Sequence, residues 1–121
     1  MSSVVIFAEI KPSVPLNKIE SWAKKHLKAR GANNQSLELR IVSKTEIAKL
    51  NKLYLAKRGP TDVLSFPLDI IPGEKKGFVG TVVICDNVIK TQAKESSVSI
   101  DDEYRRMINH GIDHLMGIHH K

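Results

Sequence analysis

The residues best suited to chemistry lie late in the chain, where His110, His114 and His120 follow one another at fixed intervals. Two histidines four positions apart in a helix project from the same face, one turn from each other. Gly117 can adopt the left-handed conformation that ends such a helix, so that the chain turns back and brings His120 to the same point. Three imidazoles beside an open fourth position are typical of catalytic zinc, so we predict that these histidines bind Zn²⁺.

The same residues admit other interpretations. His110 and His114 could be solvated helix residues, with His119, His120 and Lys121 forming a polar tail. His119 could also replace His120 as third ligand, although the spacing favours His120. The interval HxxxHxxGxxH is that of metzincin metalloproteases, which carry a glutamate general base directly after the first histidine. Gly111 occupies that position here. The pattern therefore still predicts metal binding, but the chain lacks the general base that a peptidase mechanism needs.

The length and charge of the chain indicate its domain organisation and the kind of partner it favours. A chain of 121 residues suits one domain, residues 1–121, with a single modest core. Nineteen lysines and arginines against 13 acids give a formal net charge of +6. This balance favours approach to a polyanion such as RNA, although charge alone is equally consistent with an ordinary basic surface.

The single cysteine and the absence of long apolar stretches suggest a location. Cys85 cannot form an internal disulfide, and its apolar surroundings predict a buried, inert thiol. No signal peptide and no stretch long enough to span a membrane is evident. We therefore expect a cytoplasmic protein with no membrane and no disulfide partner.

The spacing of apolar residues predicts the elements that must position the histidines. The predicted order is strand, helix, strand, helix, two strands, then two helices, which gives an α+β fold with a mixed sheet of about four strands and helices packed on it. The metal site falls on the C-terminal helix and the following turn. The predicted strands cover Val4 to Ile10, Leu37 to Ile41, Val63 to Phe66 and Phe78 to Cys85, and the last of these is placed inside the sheet.

The helices are predicted by apolar stripes and by their caps. The first runs from Leu16 to Leu27 and stops at Gly31, and the second opens at a capping box, Ser43 to Glu46, and is broken by Gly59 and Pro60. A loop from Leu68 to Gly77 precedes the most apolar strand, and Asp86 to Lys94 forms the third helix. Helical stripes are expected to be packing surfaces, so His26 is assigned to packing and not to a ligand set.

The last helix carries the predicted site. Ser99 and Asp102 can cap it, and the acids 101 to 103 lie near its positive end. Its core stripe comprises Tyr104, Met107, Ile108, Ile112, Leu115 and Met116, and packing of this stripe fixes the direction of the neighbouring histidines. Asp113, beside His114, is either a partner of a ligand or a surface acid, and we favour the surface.

Several blocks resemble one family when taken together. They are Leu50 to Tyr54, the octet PTDVLSFP from Pro60 to Pro67, the segment from Gly80 to Cys85, and the histidine block. In this order they resemble the YbeY family of metal-dependent ribosomal RNA maturation factors. The resemblance implies an α+β fold and a histidine-bound metal, usually zinc, with His110, His114 and His120 as ligands. It also implies single-strand-specific endoribonuclease activity in small-subunit ribosomal RNA maturation and ribosome quality control.

The chain departs from the family pattern at four positions. Leu55 replaces an arginine thought to serve the active site, Thr81 an aspartate, Asp113 a leucine and His119 an aspartate. Lys57 and Arg58 are the nearest cations, and they are our candidates for RNA binding and for neutralising the scissile phosphate. No general base can be named. We expect a zinc-dependent endoribonuclease whose activity is weakened by the change at Leu55.

Partners follow from the same resemblance. Ribosomal RNA and the small ribosomal subunit are the expected partners. The alternative is a ribosome-associated RNA-binding factor whose metal is mainly structural and whose cleavage is weak or absent. The change at Leu55 favours this alternative.

Overall fold

Eight helices and strands make up the described part of the chain, which in this computed structural model covers residues 3–32, 35–55, 63–67 and 78–116. Side chains are described for residues 3–32, 35–50 and 80–116. The elements are β1 (Ser3–Ala8), α1 (Leu16–Ala29), β2 (Ser36–Val42), α2 (Lys44–Leu55), β3 (Val63–Pro67), β4 (Phe78–Cys85), α3 (Asp86–Glu95) and α4 (Ile100–Leu115).

The four described strands form one mixed sheet in the order β1-β2-β4-β3. The β1–β2 and β2–β4 pairs are parallel, and β3 runs antiparallel to β4. The predicted α+β fold with a mixed sheet is therefore confirmed, as is the interior position of the most apolar strand. Val82, Val83 and Ile84 are at most 1% exposed, as expected for a strand covered on both faces.

The core lies mainly on one face of the sheet. Alternate residues of β2 and β4 point to this face and pack against the apolar stripes of α1 and α4. The buried residues of this cluster include Leu37, Leu39, Ile41, Val82 and Ile84 from the strands, and Ile19, Ala23, Leu27, Tyr104, Ile108 and Ile112 from the helices. Burying each large aliphatic side chain contributes roughly 1.5–3 kcal/mol.

The opposite face of the sheet carries a smaller cluster. Val83 and Cys85 point to this side and pack with Val42 and with Ile47 of α2. The thiol of Cys85 is buried, as predicted. Because successive strand residues alternate between faces, β4 serves both clusters and holds the sheet between them.

Helix ends follow the predicted capping signals. The Ser99 hydroxyl accepts a hydrogen bond from the Asp102 backbone N–H at 3.0 Å, which caps α4. The Ser43 hydroxyl accepts one from Glu46 N–H at 3.2 Å, the first half of the predicted capping box. Gly31, with φ 76°, follows the end of α1, as predicted. None of the described helices is both long and apolar enough to cross a membrane.

Some boundaries differ from the predictions. β1 ends at Ala8 and not at Ile10, whereas α1 ends at Ala29, just before the predicted stop at Gly31. Glu9 N–H still bonds to Ile41 O at 2.9 Å just beyond the end of β1, and the last residues of an element commonly differ by one or two positions in this way. The predicted break at Gly59 and Pro60 and the predicted loop from 68 to 77 lie outside the described residues.

Candidate functional site

The predicted histidine pair lies near the C-terminal end of α4. His110 and His114 are one helical turn apart, and their ring centroids are separated by 4.1 Å, with the ring planes tilted by 52°. His114 is exposed and His110 is partly buried. The helix therefore presents two imidazoles side by side, one exposed and one partly buried.

Packing fixes the direction in which this pair points. Ile108 and Ile112 are fully buried and hold one side of α4 on the core cluster. α4 also packs against β3 and β4. Since His110 and His114 lie beside this buried stripe, their helix cannot rotate without exposing it to water.

Other predicted site residues lie outside the described residues. These are His120, the rival His119, the turn residue Gly117, and the cations Lys57 and Arg58. Across residues 3–32, 35–55, 63–67 and 78–116, no group of three histidines, cysteines or acids is arranged to hold a metal. The predicted set of ligands includes His120 and thus stays a prediction.

The position of Asp113 differs from the sequence-based prediction. It was predicted to be a surface acid, yet it is only 2% exposed. Its Oδ1 accepts hydrogen bonds from Arg30 Nε at 2.8 Å and lies 2.7 Å from His26 Nε2, and its Oδ2 accepts one from Arg30 Nη2 at 2.9 Å. The prediction was wrong because α1 covers this side of α4 and supplies both partners.

The cluster of Asp113, Arg30 and His26 ties the end of α1 to the last turn of α4. Two parallel bonds from one guanidinium to one carboxylate give a fixed geometry as well as attraction. The hydrogen bond to Asp113 raises the pKa of the Arg30 guanidinium, so this partner stays charged. Asp113 directly precedes His114, and the cluster therefore anchors the turn of helix that carries the histidine pair.

A second buried carboxylate anchors the start of α3. Asp86 is 2% exposed and accepts hydrogen bonds from the backbone N–H and the hydroxyl of Ser13, both at 2.8 Å. The hydroxyl of Tyr104, itself fully buried, donates to the same carboxylate. Burial, together with this hydrogen bond, raises the pKa of Tyr104. The phenol is therefore neutral and serves as a donor.

A pocket of about 160 Å³ opens between α1 and α4. It is lined by Trp22, Lys25, His26, Ala29, Arg105 and Asn109. The side-chain oxygen of Asn109 is buried and has no hydrogen-bond partner among the described residues. Leaving such an acceptor unpaired costs roughly 1–3 kcal/mol. The sequence could show only that Arg105 and Asn109, four positions apart, lie on one side of α4. It could not show that α1 packs opposite them and closes the pocket.

Comparison with known proteins identifies the relatives of this chain. A family model described as endoribonuclease YbeY matches residues 6–121. An endoribonuclease YbeY from Aquifex aeolicus is 44% identical over 114 residues, which cover 92% of this chain and 73% of that protein. One from Alteromonas mediterranea is 39% identical over 102 residues, which cover 84% of this chain and 65% of the relative.

A solved structure shares the fold. The solution structure of a protein from Thermotoga maritima matches 98% of this chain and 75% of its own, with a TM-score of 0.68 and 27% sequence identity. The similarity in sequence covers the strands, the helices and the histidine block together. This chain belongs to the YbeY family.

Proposed function

We propose that this protein is a zinc-dependent endoribonuclease that cuts single-stranded RNA. Its proposed role is maturation of small-subunit ribosomal RNA and ribosome quality control, on the small ribosomal subunit in the cytoplasm. The observation that carries the proposal is the side-by-side pair His110 and His114 on α4, in a chain whose relatives are named endoribonucleases. The formal net charge of +6 suits a polyanionic substrate.

The donor atoms suit zinc. Neutral imidazole nitrogens are among its preferred ligands, and two of them are already adjacent on α4. His120 is the proposed third ligand on the basis of its sequence spacing. A bound zinc ion would supply Lewis acidity at the scissile phosphate and lower the pKa of a water at the site.

The protein's own residues orient the site. Asp113 is held by Arg30 and His26, so the last turn of α4 is fixed relative to α1. A fixed helix keeps the two imidazoles next to each other, which would lower the cost of bringing them together on one ion. Lys57 or Arg58 would neutralise developing charge on the phosphate. Leu55 offers no such charge, and we expect slower cleavage than in relatives that carry arginine.

The decisive experiment compares histidine variants. Purified protein is analysed for zinc and assayed for cleavage of a single-stranded RNA. We expect His114→Ala and His120→Ala to lose zinc and to lower cleavage by more than about 100-fold, beyond what disturbing a ligand's neighbour costs. His119→Ala is the matched control, because it removes an adjacent histidine that is not in the proposed set. Metal-free protein that still cuts RNA would overturn the mechanism.

The residue at position 55 favours a second candidate, a ribosome-associated RNA-binding factor with a structural metal. In that case His114→Ala would unfold the protein, and metal-loaded wild type would bind RNA without cutting it. Leu55→Arg separates the two candidates further. If the site is catalytic, restoring the cation should raise cleavage by about 10-fold or more, since one charged group at a transition state is commonly worth at least that much.

A further inference from the structure

The pocket between α1 and α4 has the composition of a nucleotide-binding surface. Trp22 supplies an aromatic wall, and it is the only tryptophan in the chain. Lys25 and Arg105 add positive charge at the rim, and both are exposed. Aromatic side chains beside cations are the combination that binds single-stranded nucleic acid, because bases stack on the rings while phosphates pair with the cations.

Both cations are available to pair with a phosphate. Arg105 pairs with Asp102 at 3.1 Å, but both side chains are more than half exposed, and such a pair contributes little. Lys25 forms no ion pair within the described part of the chain. The nearby carboxylate of Asp113 is already neutralised by Arg30. Its charge therefore does little to repel an incoming anion.

The volume of the pocket and its unpaired acceptor suit a ligand with one planar ring. A volume of about 160 Å³ is smaller than the roughly 300–1,000 Å³ of pockets that enclose a drug-sized molecule. It suits a single base, whose sugar and phosphate stay at the open rim. The unpaired Asn109 oxygen needs a donor, and a small rotation of this amide would offer it to the N–H groups on the edge of a base.

The pocket and the histidine pair share α4. Asn109 and His110 are consecutive, so their side chains leave the helix about 100° apart. The pocket and the histidine pair therefore lie on neighbouring sides of the same stretch of α4. A strand held in the pocket can therefore cross α4 and present a neighbouring phosphate to the histidines.

We infer that this pocket is an auxiliary site for one nucleotide of single-stranded RNA, with the base against Trp22 and Asn109 and the backbone at Lys25 and Arg105. The choice of RNA rests on the proposed function. The site itself rests on the lining residues, the unpaired acceptor and the exposed cations. It holds the substrate strand beside the histidine pair without taking part in the bond-breaking step.

The lone tryptophan makes the test direct. Full-length protein is stripped of metal with a chelator, and Trp22 fluorescence is followed during titration with a short single-stranded RNA. Stacking against the indole should quench the emission and shift it in a saturable way. The same titration with inorganic polyphosphate should leave the emission nearly unchanged, because polyphosphate provides charge without bases. Equal quenching by both polyanions would reduce the pocket to a general anion surface and overturn the inference.

Two double variants separate the pocket from overall charge. Lys25→Glu with Arg105→Glu changes the rim, whereas Lys44→Glu with Lys94→Glu makes the same charge change on α2 and α3, at exposed positions outside the pocket lining. We expect the rim variant to raise the RNA concentration for half-maximal quenching at least about 10-fold more than the control, because it replaces two phosphate-binding cations with anions. Circular dichroism confirms that both variants are folded. Equal weakening would contradict a site in the pocket.

Trp22 quenching tests the pocket and RNA cleavage tests the proposed function, so the two proposals can fail separately. Saturable quenching without cleavage by metal-loaded protein would support the pocket and refute the nuclease. Cleavage without any change in Trp22 emission would keep the nuclease and refute the pocket. Equal affinity for RNA and for DNA of the same sequence would support a base site that does not read the sugar.

Discussion

Asp86 and Asp113, two of the three buried carboxylates among the described residues, are equally hidden from water but are held in different ways. Asp86 lies in the first turn of α3, accepts hydrogen bonds from the neutral groups of Ser13 and Tyr104, and has a cation only at 3.9 Å, the half-exposed Lys90 ammonium. Asp113 lies near the end of α4 and is bonded by the guanidinium of Arg30 and by His26. The helix dipole explains much of this difference. It favours an anion at a helix start and disfavours one at a helix end, by about 0.3–1 kcal/mol in each case.

The comparison also separates stability from positioning. Tyr104 is fully buried, so its hydroxyl cannot turn to water if the Asp86 carboxylate is lost. The Arg30 side chain is 35% exposed and can turn to water. We therefore expect the Asp86 site to matter mainly for folding and the Asp113 site to matter mainly for the orientation of the histidine-bearing turn.

The largest effect should come from Asp86→Ala. It removes the acceptor of the buried Tyr104 hydroxyl and the anion at the start of α3, and the expected loss is about 3 kcal/mol in the free energy of unfolding. Urea denaturation followed by circular dichroism measures this loss. If Asp86→Ala lowered the free energy of unfolding by less than Asp113→Ala does, Asp86 would not be the carboxylate that matters more for folding.

A smaller loss of stability is expected for Asp113→Ala, about 1.5 kcal/mol, at the low end for hydrogen bonds to charged groups. Its distinguishing effect should be on zinc affinity, because the last turn of α4 is released from α1. Competition with a zinc chelator measures that affinity, with Asp86→Ala as the control. Unchanged zinc affinity in Asp113→Ala would remove the positioning role.

The free energy of unfolding at alkaline pH tests the role of Tyr104, the buried partner of Asp86. Tyr104 has a pKa raised above its ordinary value of 10.0, so the folded protein holds this proton more tightly than the unfolded chain. Stability from this group is complete below pH 10 and is lost as pH rises above it, at about 1.4 kcal/mol per pH unit. Tyr104→Phe should cost about 1 kcal/mol at neutral pH and reduce this alkaline decline. Parallel curves for both proteins above pH 10 would contradict the assignment.

The smallest effect should follow His26→Gln. A glutamine amide can place a donor near the position of the imidazole Nε2, and Arg30 keeps its two bonds to Asp113. We expect a loss of stability below about 1 kcal/mol, with His26→Leu as the harsher comparison. If the glutamine variant were as unstable as Asp113→Ala, then His26, and not Arg30, would be the main partner of the carboxylate.

Local sequence signals predicted much of the fold. The cap at Ser99, the glycine stop at Gly31 and the interior position of β4 depend on nearby residues, and each is confirmed. The adjacency of His110 and His114 follows from helical spacing in the same way. These features needed no knowledge of which elements meet in space.

Features made by distant residues could not be predicted. Asp113 meets His26 and Arg30 across 87 and 83 positions, and no periodicity within α4 encodes that meeting. The pocket is missed for the same reason, because its two walls belong to different helices. A carboxylate in the last turn of a helix looks like a surface residue until the cations that cover it are placed.

The pairing of α1 with α4 also constrains the synthesis of this protein. α1 is translated before α4, which covers it and supplies Asp113 some 80 positions later. The nascent chain cannot complete its core stepwise, since contacts between such distant segments form only once both have been made. The contacts that hold the turn carrying the histidine pair can therefore form only after α4 has been translated.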